Sequence, residues 1–128
     1  MNKWFGILFA FAALTIPSMA WAQEHTVTRV GMVAKPRAYQ GACPVDIEFI
    51  GTIFVSRHPV WIEYRWERSD GAVQQPRRIQ ITSAGQGVAE WWKLSGRAGV
   101  VHQVWMKLHV LAPTGISGVS PTVTVNCL

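Results

Sequence analysis

An all-β sandwich of seven strands, closed by one disulfide, is predicted for this chain of 128 residues. Three observations predict it. After residue 25 apolar residues recur with a period of two, and helical spacing is absent. Clusters of Gly, Pro and Ser punctuate the pattern about every ten residues, as in proteins built of short antiparallel strands. Two cysteines, Cys43 and Cys127, enclose most of the patterned region.

The first element is an address. Lys3 is the only early charge, and an apolar run follows from Trp4 through Ile16. Pro17 and Ser18 break the run before Ala20-Trp21-Ala22. This order of positive, apolar and small residues reads as a signal peptide over 1–22, cut after Ala22. The apolar run is short for a bilayer span, and no later segment is more apolar, so no membrane insertion is expected after cleavage. Residues 23–128 are then one domain, exported to the periplasm or the medium. An even cysteine count in an oxidising compartment favours a Cys43–Cys127 bond. Closing so long a loop contributes roughly 4 to 5 kcal/mol in the chain-entropy account.

The strands follow in order. The first is Thr26–Val33, with Val27, Val30 and Met32 apolar and a slip of alternation at Thr28-Arg29 that suggests a bulge. The second, Val45–Val55, places Val45, Ile47, Phe49, Gly51, Ile53 and Val55 on one face. The third, Val60–Arg68, sends Val60, Ile62, Tyr64 and Trp66 inward and Trp61, Glu63, Arg65 and Glu67 outward. After the turn Ser69-Asp70-Gly71 comes a short strand over Arg77–Thr82. The fifth, Gly87–Leu94, buries Val88, Trp92 and Leu94, leaves Trp91 outside, and puts Glu90 at an inward position from which a twist lets it reach water. The sixth, Val100–Leu111, directs Val104, Met106, Leu108 and Val110 inward. The seventh, Val119–Cys127, directs Val119, Val123, Val125 and Cys127 inward.

Seven strands in about a hundred residues fit an immunoglobulin or fibronectin-III sandwich. In the fibronectin-III topology the second strand begins at the pole where the seventh ends. Cys43 and Cys127 then share that pole, with inward parity, and their bond ties the two sheets together.

Two stretches resemble known families. Val110–Val125 is similar to the region joining the last two strands of fibronectin type III domains. Gly41-Ala-Cys-Pro44, Phe49-x-Gly51-x-Ile53, Tyr64-Arg-Trp66, Ser69-Asp-Gly71, Trp92 and Val125-Asn-Cys127 occur in that order. Together they resemble small exported bacterial immunoglobulin-like domains over residues 41–127. That resemblance implies the fold and the Cys43–Cys127 bridge, and no catalytic or ligand residue. Residues 23–40 have no counterpart in it.

Chemistry-bearing motifs are sparse. The chain has no phosphate-binding Gly-rich loop, nucleophile elbow or metal-spaced Cys/His cluster, so no enzyme activity, cofactor or metal is expected. Asp46 and Glu48 read as solvated strand residues. His25 beside the new terminus reads as a frayed end rather than a copper ligand. Lys and Arg exceed Asp and Glu by 12 to 7, but no basic block forms, so nucleic acid is not an expected partner. The informative feature is outward tryptophan. Trp61 and Trp105 fall on the solvent face of the third and sixth strands, which are neighbours in this topology. Antiparallel pairing is expected to set Trp61 by His109, Glu63 by Lys107 and Arg65 by Trp105. Patches of Trp and Arg mark binding sites, although the same residues can satisfy one another across strands. Trp61, Arg65, Trp105, Lys107 and His109 are therefore candidate binding residues, with Arg57 and His58 of the loop before the third strand. The expected function is an exported, non-enzymatic module that binds a protein or an envelope polysaccharide. The alternative is a structural or accessory subunit of a cell-envelope assembly.

Overall fold

The computed structural model describes residues 26–128. The expected leader, its cut after Ala22, and His25 lie outside the described residues. Among the described residues ten strands form: β1 (Val27–Lys35), β2 (Ala38–Gly41), β3 (Val45–Val55), β4 (Val60–Arg68), β5 (Arg77–Ile81), β6 (Gly85–Leu94), β7 (Val101–Val104), β8 (Met106–Ala112), β9 (Ile116–Val119) and β10 (Val123–Cys127). One sheet has the order β1-β3-β6. The opposing layer has the order β5-β4-β8-β9 and continues towards one pole as β2-β10-β7. This is the expected immunoglobulin/fibronectin-III-like sandwich.

Alternation explains the layers. Every second residue of β3 and β4 is apolar, and those residues form the core between the sheets: Ile47, Phe49 and Ile53 face Ile62, Trp66 and Leu108, all fully buried. Tyr64, Val104, Met106 and Val110 join them as expected. Gly51 occupies an inward position of β3 where a Cβ would overlap Leu108 Cδ2 and approach Met32 Sδ to 3.1 Å. Its missing side chain is the space that the Trp66 indole and Leu108 fill. The expected bulge lies between Val27 and Arg29. Cys43 and Cys127 are bonded, with Cα atoms 5.5 Å apart, and link the entry of β3 in one sheet to the end of β10 in the other.

Several details differ from the sequence reading. The first strand runs on to Lys35, and β2 then pairs parallel with β10. The strand expected from Gly87 starts two residues earlier, at Gly85. The sixth strand is interrupted at Trp105, and the seventh at Ser120–Thr122. Pro121 cannot donate to a ladder. Ser120 compensates: its N–H donates to Met106 O at 2.9 Å, and its buried Oγ accepts from Met106 N–H at 3.0 Å. That break reverses parity, so Val119 is 54% exposed rather than inward. Glu90 keeps a partly exposed side chain. It pairs at 2.9 Å with Arg77, bridging the two edge strands β5 and β6.

Candidate functional site: the outer face of the four-stranded sheet

The face is built from outward positions of β5, β4, β8 and β9. Trp61 lies on it, 55% exposed, and Trp66, five residues on, is fully buried. The expected register between the two tryptophan-bearing strands is wrong by four residues. Arg65 stands opposite His109, and Glu67 opposite Lys107. Trp61 lies beyond the end of the β4–β8 ladder and is paired with Gln80 of β5. Trp61 is thus not by His109, Glu63 not by Lys107, and Arg65 not by Trp105. The cause is topological. A tight turn fixes register in a hairpin. Here β5, β6 and β7 intervene between the partners, so no turn sets their alignment.

The corrected register gives a different set of contacts. The Arg78 guanidinium of β5 sits over the Trp61 ring, 5.3 Å from its centroid. Lys107 Nζ sits 5.9 Å from the Trp105 centroid. Trp105 is half-buried between β7 and β8, where Ser69 holds both of its backbone groups: Ser69 N–H donates to Trp105 O at 3.0 Å, and Ser69 Oγ accepts from Trp105 N–H at 3.2 Å. Trp105 is therefore level with Ser69, eight residues along from Trp61. At strand rise the two tryptophans stand about 26 Å apart.

Between them lies a chain of three polar side chains on three strands. His109 Nε2 meets Glu67 Oε2 at 2.8 Å, and His109 Nδ1 meets Ser117 Oγ at 2.8 Å. The hydrogen bond from His109 holds the Glu67 carboxyl below its ordinary range, and Lys107 and Arg65 act in the same direction. Serine, histidine and glutamate are also the parts of a hydrolase triad. Here they stand on an open sheet face, and the backbone of β8 is engaged by ladders on both sides, so it offers no N–H donors to an oxyanion. The arrangement braces β4, β8 and β9.

Of the residues named from sequence, Trp61, Arg65, Trp105, Lys107 and His109 share this face. Arg57 and His58 are exposed in the turn between β3 and β4, next to its Trp61 end. Sequence reasoning omitted Arg78, Glu67, Ser117 and Val119 as site residues. Parity alone places Glu67 with Trp61 and Arg65. Arg78 needs the β4–β5 register, and Val119, opposite Lys107, needs the parity reversal at Pro121. A groove of about 200 Å³ between β1 and the β8–β9 turn is lined by Val27, Thr28, Thr114, Gly115 and Ile116, none of them titratable. Among the described residues no three His, Cys, Asp or Glu side chains gather as a metal site.

No protein-family model matches the sequence, and no curated protein matches it. Among solved structures, the CARDB domain of the PF1109 protein from Pyrococcus furiosus, crystallised in complex with di-metal ions, is similar. The TM-score is 0.53 at 9% identity, over 81% of this chain and 98% of that domain. The likeness is one of fold, and it shows this chain to be an immunoglobulin-like β domain.

Proposed function

We propose that this chain is an exported, non-enzymatic recognition module that binds a protein or envelope-polysaccharide partner through the outer face of its four-stranded sheet. One observation carries the reading: two tryptophans, each with a cation over its ring, flank a single open face. Aromatic and arginine side chains are the usual anchors of binding surfaces. The disulfide supports an oxidising compartment, and the signal-like segment at 1–22 supports export. Arg57 and His58 extend the surface at its Trp61 end.

Capture from a cell-envelope extract on the immobilised, disulfide-bonded protein tests this reading. Saturable binding that is lost in the Trp61→Ala/Trp105→Ala variant is expected. Capture of a partner at fixed stoichiometry that ignores both substitutions would transfer the role to an assembly subunit using another surface.

A further inference from the structure

We infer that the partner of this face is an acidic, extended protein segment; the inference rests on the reading of the face as the recognition surface. The charge left over on the face points there. Its acids are Glu63 and Glu67, and its cations are Arg65, Arg78 and Lys107, beside the imidazole of His109. Glu67 is already engaged by His109. The other ion pairs among the described residues, Arg68–Asp70 and Arg77–Glu90, use none of the three cations. Three cations thus share the face with two carboxylates, and the positive excess favours an anionic ligand and penalises a basic one.

The placement of the cations separates peptide from glycan. A sugar ring stacks on the flat of an indole. On this face Arg78 covers one indole and Lys107 approaches the other, so each ring presents N–H donors on that side instead. Guanidinium and ammonium donors suit carboxylates. Arg78 stands opposite Glu63 and Lys107 opposite Glu67, so the two cations are set four residues apart along β4, about 13 Å at strand rise. A segment with acidic residues about four positions apart reaches Arg78 and Lys107 together, and Val119, opposite Lys107 on β9, offers an apolar contact at that end.

Indole N–H signals in a ¹⁵N-labelled sample test the inference residue by residue, with a decamer of glutamate as probe. Trp61 and Trp105 signals are expected to move on titration, less so as salt rises. Trp91 on the opposite sheet and buried Trp66 are expected to stay. Charge reversal by Arg78→Glu with Lys107→Glu is expected to abolish the shifts while leaving the remaining spectrum folded. Unmoved Trp61 and Trp105 signals, equal movement at Trp91, or shifts that survive charge reversal would overturn the proposal. So would an oligogalacturonate of matched charge that moves the same indoles at lower concentration, which would assign the face to acidic glycans. If captured partners depend on Trp61 while the glutamate decamer moves neither indole, the recognition face stands and only its acidic specificity falls.

Discussion

Strands β4 and β6 lie in opposite sheets, and each sends one tryptophan into the core and one into solvent. Trp66 and Trp92 go inward, 0% and 6% exposed, and Trp61 and Trp91 go outward, 55% and 59% exposed. By exposure the outer pair are equivalent. Their neighbours differ. Trp61 has Gln80 of β5 across from it, and β5 also supplies the arginine that stacks on its ring. β6 is an edge strand, and Trp91 has only Glu48 of β3 across from it. Beside that pair runs an apolar row of Val33, Ile50 and Ala89. A cation over an indole is not sufficient either, because Arg68 stacks 4.4 Å from the inward Trp92 and closes the end of the core. What sets the outer face of β4 apart, among the described residues, is an arginine stacked on its exposed tryptophan.

The strongest test of the inner–outer contrast is deletion. Trp66→Ala is expected to cost about 3 to 5 kcal/mol in chemical denaturation, as loss of a core aromatic does. Trp61→Ala and Trp91→Ala are expected to stay within about 0.5 kcal/mol. A large loss for either outer variant would erase the contrast. Glycines sharpen it at smaller scale. Gly51→Ala pushes a methyl into Leu108 in the filled core and is expected to cost about 1 to 3 kcal/mol. Gly87→Ala, on the outer face of β6 with its nearest contact 3.6 Å away, is expected to change stability by less than about 0.5 kcal/mol.

Acid gives the smallest effect. Glu67 is held below its ordinary range mainly by the hydrogen bond to His109, and Asp70 mainly by that to Arg68. A carboxyl whose folded pKa is depressed stabilises the fold above its unfolded pKa and loses that contribution as pH falls through the folded value. Melting temperature is therefore expected to hold as pH falls from neutral to about 5 and to decline below about 4. Glu67→Gln is expected to make that decline shallower.

Most of the fold was legible because alternation is a local signal. Ile47 through Ile53, Ile62 through Trp66 and Val104 through Val110 declare their inward faces without reference to any partner strand. The disulfide was legible because parity and a shared pole agree at Cys43 and Cys127. Membership of the candidate face was partly legible for the same reason, since Trp61, Arg65, Trp105, Lys107 and His109 all have outward parity. Their contacts were not. Contacts across β4 and β8 depend on a register that no turn enforces, so the expected pairs were displaced by four residues. Val119 was misplaced because a proline-induced break reverses parity, and β2 was missed because Ala38–Gly41 is too short to show alternation.

On the proposed function, the two outer tryptophans are unequal in binding although equal in exposure. The direct measurement is the affinity of one captured partner for Trp61→Ala and for Trp91→Ala, side by side with the unaltered protein. Truncating an interface tryptophan commonly costs about 2 kcal/mol, so Kd is expected to rise roughly 30-fold for Trp61→Ala and to stay unchanged for Trp91→Ala. A partner that loses affinity for Trp91→Ala and binds Trp61→Ala normally would contradict the account and place recognition on the β1-β3-β6 face.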